Sequence, residues 1–488
     1  MTGYMTFLPY AALLIGVAWA MFAEKLPGGD KGAALIGGVL TLAAGALFLW
    51  SSAGQKVFGM KIWFTYDSRL ASMGICLLTA LWLFWIASRA TGRVREATAL
   101  GMLSAMGGCL MVGAYDLIVM VLAIELATMP AYVLIGYRKY RLKGLEGAVK
   151  YFLLSVLSSL VMIYGATFLY GIMGTSSFSG FNLAKAGTIG LVAVLLLFVG
   201  IFAKLSAAPF HYWAPDAYEG AESWIVAFVA SVPKIAGIVL AVRLVAVIDT
   251  FSSGSAAVSS LGTVLAIAAV ASMVLGSFAA LTQKDTRRVM AYSGVVNAGY
   301  MLIPLVTMSE SSVTSVVLYA LFYATATMGI LLVTASEGGK ISDLAGLSRR
   351  RPAAAWGLAI FALSLIGVPP MAGFFGKFYM FTATVHGGHV WLVVVATIAS
   401  VVSAFYYLRF VKTAFFDEET AGEDATNDIA VTVEGGSVLD VVEKTATAGQ
   451  ADTSTIFASV AIVVCVVLTV AFGPLSGLLM SVLTSPWW

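Results

Sequence analysis

The chain has 488 residues, 60% of them hydrophobic and only 11% charged, with a formal net charge of +3 and a mean hydropathy of +0.94. That composition excludes a soluble globular fold of this length and places the chain in a lipid bilayer, with no nucleic-acid partner expected. Cys76, Cys109 and Cys465 each lie in an apolar run without paired spacing, which excludes a disulfide framework and a thiolate metal centre.

Apolar runs of about 18 residues or more predict roughly fourteen transmembrane helices, an all-α polytopic fold. In chain order the expected spans are 5–22, 32–50, 68–88, 97–114, 117–136, 149–170, 188–213, 224–245, 260–280, 289–306, 312–335, 353–385, 390–415 and 455–480. The first run has no basic residue before it and is read as a span, not as a cleaved signal peptide. Only Tyr115–Asp116 separates the fourth span from the fifth. Loops after odd-numbered spans hold nineteen Lys and Arg residues, against five after even-numbered ones. Basic loops stay in the cytoplasm, so both termini are expected outside. Residues 417–454 are acidic and rich in Thr, Ala and Gly, too poor in apolar residues for a core, and read as a flexible cytoplasmic loop.

Two spans are interrupted. The seventh reads GIFAKLSAAPFHYWAPD and the twelfth LSLIGVPPMAGFFGKF. Proline removes a backbone donor and clashes with the preceding turn. In a membrane such a break survives only inside protein or beside a water-filled cavity. The breaks are five spans apart, an odd offset that reverses direction, so two inverted five-helix repeats are expected, spans 4–8 and 9–13. The expected organisation is an N-terminal three-helix segment (1–96), a first repeat (97–245), a second repeat (260–415), the acidic loop (416–454) and a C-terminal helix (455–488).

Ionisable residues inside the spans carry the functional reading. Glu125, Lys204, Lys234 and Lys377 lie deep in apolar stretches, and Lys150 opens another. A charge at the centre of a membrane helix costs about 2.5–3.5 kcal/mol on insertion scales, and the default reading of such a residue is a path for ions or protons. Burial favours the neutral form of a lysine and a nearby carboxylate favours the charged form. A Glu–Lys pair whose separation changes can therefore load and release a proton. Each residue has a plainer alternative. Lys150, near a helix end, can reach the interface with its ammonium; His211 can be a helix-end residue bonded to Asp216 or Glu219; Glu125 can be a structural partner of a cytoplasmic arginine.

The stretches ELATMPAYVLIGY, EGAVKYFLLSVLSS, KLSAAPFHYWAPDAYEGA, SVPKIAG, TQKDTRRVMAYSGVVNAGYM, LIGVPPMAGFFGKFYMF and VVSAFYYLRFVK run in order from about residue 120 to 412. They resemble the antiporter-like membrane subunits of respiratory complex I, with PDAYEGA, SVPKIAG and AFYYLR favouring the subunit N type. The resemblance implies proton translocation through Glu125 paired with Lys204, the central Lys234 and Lys377 on the exit side, with Lys150 and His211 as further polar positions. The chain departs from many relatives at Asn297, where they carry a histidine, and at GAESW after the PDAYEGA stretch. It has no GxGxxG after a strand, no cluster-binding cysteines and no haem signature. NADH, FMN, iron–sulfur clusters and quinone are accordingly expected in partner subunits, with a neighbouring antiporter-like subunit M and small membrane subunits alongside in a bacterial plasma membrane. Two alternatives stand beside this reading: a subunit of a multisubunit sodium/proton antiporter, and a scaffold in which buried charges only specify packing.

Overall fold

Apolar stretches that must satisfy every backbone group internally fold as helices, and these helices make up nearly all of the computed structural model. It describes residues 6–22, 29–51, 54–57, 61–89, 93–138, 142–252, 256–307, 310–418 and 455–483. The elements are α1 (Leu8–Phe22), α2 (Gly29–Trp50), β1 (Gln55–Val57), β2 (Ile62–Phe64), α3 (Tyr66–Arg89), α4 (Val94–Gly113), α5 (Leu117–Ile135), α6 (Leu142–Met173), α7 (Leu183–Leu205), α8 (Trp213–Gly220), α9 (Ser223–Val229), α10 (Val232–Ser252), α11 (Ala256–Thr282), α12 (Thr286–Leu302), α13 (Glu310–Thr334), α14 (Pro352–Ile366), α15 (Ala372–His386), α16 (Val390–Phe416) and α17 (Thr455–Leu483).

Among the described residues 12 segments are long and apolar enough to cross a membrane, α9 and α10 counting as one. The other two of the fourteen expected spans are the 15-residue α1 and the twelfth, split into α14 and α15. From residue 419 onward the expected acidic loop lies outside the described residues.

Both expected breaks are present. The seventh span ends as α7 at Leu205 and resumes as α8 at Trp213, with a cis Ala208–Pro209 bond between. The twelfth stops at Ile366 and resumes at Ala372, with a cis Pro369–Pro370 bond between. Other features also recur at an offset of five spans. Asp116 caps α5 through the amides of Ile118 and Val119 and forms a β-bridge with Ser177, just before a 3-10 turn at Phe178–Gly180. Asp285 caps α12 through the amides of Arg287 and Arg288 and bridges to Lys340, just before a 3-10 turn at Ile341–Leu344.

β1 and β2 form a small antiparallel hairpin, which the sequence patterning did not mark. Ile62 bridges to Ala114, and Arg243 of α10 donates to the carbonyls of Trp63, Gly113 and Ala114, tying the hairpin to the α4–α5 turn. At the centre of the bundle α10, α12 and α13 are almost wholly buried, whereas α6, α16 and α17 turn large apolar side chains outward. A row at spacings of three or four residues, Val394, Ile398, Val401 and Phe405 on α16, is a lipid- or partner-facing stripe.

Candidate functional site

The buried charges form three stations. At the first, α5 presents Glu125, Thr128 and Tyr132 at i, i+3 and i+7, one helix face. Opposite, α6 presents Ser155 and Ser159 one turn apart. Lys204, the penultimate residue of α7, lies where the open carbonyl end of a helix favours a cation. Its ammonium donates to Tyr132 Oη at 3.1 Å, to Thr128 Oγ1 at 3.4 Å and to Ser155 Oγ, and stands 4.0 Å from Glu125 Oε1. Ser159 donates to Glu125 Oε1 at 2.5 Å. The expected Glu125–Lys204 pair is therefore formed, but loosely, each partner also held by hydroxyls. Beyond Lys204 the chain turns at Ser206, whose φ of 58° is a left-handed conformation that favours glycine.

The second station is Lys234, 3% exposed, whose ammonium has no hydrogen-bond partner. It lies over the rings of Tyr218 at 5.8 Å and Tyr323 at 5.9 Å, close enough for cation–π attraction. Gly294 of α12 makes room for it, since a Cβ there would collide with Lys234 Nζ. Tyr218 Oη and Ser231 Oγ are also buried without partners. Buried polar atoms are ordinarily satisfied, by water where the protein supplies nothing.

Lys377 of α15 is the third. Its ammonium turns inward, donating to the carbonyls of Leu365 at 2.8 Å and Ile366 at 3.0 Å, the open end of α14, and to Ser400 Oγ at 2.8 Å. The ring of Tyr300 lies 4.9 Å away. Gly367, at φ 94°, ends α14 and packs on the lysine stem. Bonded in this way inside the bundle, and 5% exposed, Lys377 does not reach the lipid headgroups.

Between the second and third stations α12 supplies Ser293, Asn297 and Tyr300, a polar stripe at i, i+4 and i+7. Asn297 donates to the Ser293 carbonyl at 2.8 Å and accepts from Tyr319 Oη at 2.5 Å, and Ser293 bonds Tyr407. Between the first and second stations stand aromatic rings: Tyr132 edge-on to Tyr151, Tyr151 stacked on Trp213 at 3.9 Å, and Trp213 edge-on to Tyr218. His211, in the α7–α8 break, is buried, stacks on Tyr212 and has an unpartnered Nδ1, bonded neither to Asp216 nor to Glu219.

Lys150 is not brought into this row. It pairs with Glu146 at 2.6 Å and Asp216 at 2.7 Å, in a polar cleft at the basic end of the bundle. Arg288 joins the cluster through Asp216 at 3.0 Å and Glu219 at 2.6 Å. Burial would raise the Asp216 carboxyl, but Lys150 and Arg288 outweigh it and hold the group below the ordinary carboxylate range. The same contest, won by Arg288 and Lys143, holds Glu219 down. Gly294 and Tyr323 were not singled out in the sequence, because their roles arise against Lys234, on a span distant along the chain, and the turn at Ser206 was missed because a serine does not announce a left-handed conformation.

A polytopic bundle with two broken helices and a row of buried lysines defines an antiporter-like membrane protein. Residues 114–403 match the family described as the NADH:quinone oxidoreductase/Mrp antiporter transmembrane family, and the chain belongs to it. It is 37% identical over 379 residues to the NADH-quinone oxidoreductase subunit N of Rhodospirillum rubrum, covering 75% of this chain and 77% of that one. Its fold matches a chain of respiratory complex I from Thermus thermophilus, with a TM-score of 0.78, 29% identity and coverage of 97% and 98%. It also matches a chain of the Mrp complex from Dietzia sp., with a TM-score of 0.80 over 98% and 95% of the two chains; at 19% identity that likeness concerns the fold alone.

Proposed function

We propose that this chain is the proton-translocating subunit N of a complex I-type NADH:quinone oxidoreductase in a bacterial plasma membrane. It moves protons through Glu125, Lys204, Lys234 and Lys377 while redox chemistry proceeds in partner subunits that hold NADH, FMN, iron–sulfur clusters and quinone. A neighbouring antiporter-like subunit M and small membrane subunits complete the membrane arm, and both termini face outside. The observation that carries this reading is Lys234: a wholly buried ammonium with no hydrogen-bond partner, given space by a glycine and flanked by unpartnered hydroxyls. A scaffold charge would be paired. Lys150 and the cleft around Asp216 act as a cytoplasmic mouth, and His211 lines the seventh-span break. The sodium/proton antiporter reading shares the fold, but the relatives at 37% identity are subunits N.

The test is substitution of Lys234 in the assembled complex. Lys234→Met keeps the apolar stem and removes the titratable head, and positioned proton-transfer groups are worth about 10²–10⁴ in rate. Proton pumping coupled to quinone reduction should fall about tenfold or more, with assembly intact. Lys234→Arg keeps a charge that resists deprotonation and should be nearly as damaging. Wild-type turnover in the arginine variant would mean that fixed charge, not proton release, is the role.

A further inference from the structure

Among the described residues, one buried acid outside the row keeps an unpartnered oxygen. Asp67, in the first turn of α3, lines a cavity between α3, α10 and α13 together with Thr65, Val239, Arg243, Thr314 and Val317. Asp67 is 6% exposed and its Oδ1 has no hydrogen-bond partner; Thr314 Oγ1, on a residue 1% exposed, has none either. Arg243 spends its hydrogen bonds on Trp63 O, Gly113 O, Ala114 O and Thr65 Oγ1, and none on Asp67. Beside Arg243 and Thr65, which bond each other, the walls are largely apolar, so the unpartnered oxygens of Asp67 and Thr314 border a space that suits ordered water.

The cavity opens at the hairpin end of the bundle, opposite the cluster of Lys150, Asp216 and Arg288. Its floor approaches the central lysine. Val239 is five residues beyond Lys234 on α10, about 7.5 Å of helix rise, and Val317 is six residues before Tyr323 on α13, about 9 Å. Lys234 and Tyr323 meet each other, so α10 and α13 lead from that meeting point to the cavity side by side. We propose that Asp67 is a second proton-release group on the outer side of this chain, serving Lys234 beside the route through Lys377. This rests on the function proposed above. The N–H bond of the Lys234 ammonium breaks to a water, the proton reaches the Asp67 carboxylate as an O–H bond, and bulk water outside then takes it. Arg243 keeps its proton throughout and places a fixed positive charge at the mouth, beside which a returning proton does not settle.

The test uses the whole complex in native membranes. Asp67→Asn keeps the shape and removes the carrier, and proton uptake per NADH oxidised by inverted vesicles should fall several-fold, while Asp67→Glu restores it. Thr314→Cys should react with a charged, membrane-impermeant thiol reagent added outside intact cells, and the modified enzyme should pump several-fold more slowly. None of the three native cysteines lines this cavity, so labelling of Thr314→Cys is read against the unsubstituted chain. Wild-type pumping by Asp67→Asn, or a Thr314→Cys enzyme untouched from outside, overturns the outlet; should Asp67→Asn not assemble, the Thr314→Cys result decides. Lys234→Met separates the two layers. If it pumps normally the parent function fails, whereas impaired Lys234→Met beside normal Asp67→Asn removes only the outlet.

Discussion

At the residue scale the first station is a pair held slightly apart. A contact salt bridge would lock the proton on Lys204, whereas 4.0 Å with hydroxyls on both sides lets small movements alter the coupling. Glu125→Ala should leave assembly intact and lower pumping and quinone reduction together. Combined with Lys204→Met, it should cost less than the sum of the two singles, because the groups act as one unit. Full pumping by an assembled Glu125→Ala enzyme would end this account of the pair. Gly294 makes a second prediction. A methyl group there occupies the place of Lys234 Nζ and approaches Tyr323 Oη, so Gly294→Ala should slow turnover towards the level of Lys234→Met. Steady-state quinone reduction in membranes measures this, and an unaffected rate would show that the ammonium sits elsewhere during turnover. The lysines were legible in the sequence because an isolated charge in an apolar run stands out. Gly294 was not, because its importance is the absence of a side chain opposite a residue 60 positions away.

At the element scale the two Asp-capped helices hold their broken spans in register. Asp116 and Asp285 each satisfy two helix-start amides and each touch the segment leading to a break. Replacing such a cap by alanine costs about 1 kcal/mol. Asp116 also accepts one neutral bond, from Ser176 at 2.6 Å, whereas Asp285 pairs with the Arg287 guanidinium at 2.8 Å and thereby orders its contact with the Ala221 carbonyl, so Asp285→Ala should cost more than Asp116→Ala. Thermal inactivation of the two variant complexes measures the difference; equal losses would mean that the Arg287 contact adds no more than the Ser176 bond. We propose that these matching features mark two inverted repeats. The breaks were readable from proline and glycine. The caps, the paired bridges and the hairpin were not, since three-residue strands and single bridges leave no periodic pattern, and Asp285 in a basic loop looks like any solvated acid.

At the scale of the whole molecule the helices sort by surroundings. The central α10 and α13 touch protein on all sides, while α6 and α16 carry outward stripes that need lipid or a sister subunit. In mild detergent the chain should copurify with quinone-site and iron–sulfur subunits; small cation-antiporter subunits in their place would reassign it to the sodium/proton class. Hydropathy alone foretold the polytopic class, because the bilayer imposes length and apolarity on every span. It was silent on which helix lies at the centre, because lipid and protein interior are equally apolar.

The carbonyl ends of the two broken helices bear on the electrical state of the interior. Lys204 lies at the open end of α7 and Lys377 bonds the open end of α14. Each such end carries about half a negative elementary charge, so together they offset about one of the three lysine charges in the row. On the function proposed above, the two breaks act as fixed counter-electrodes for the row: their charge comes from backbone carbonyls, which do not titrate, so no side-chain substitution removes it.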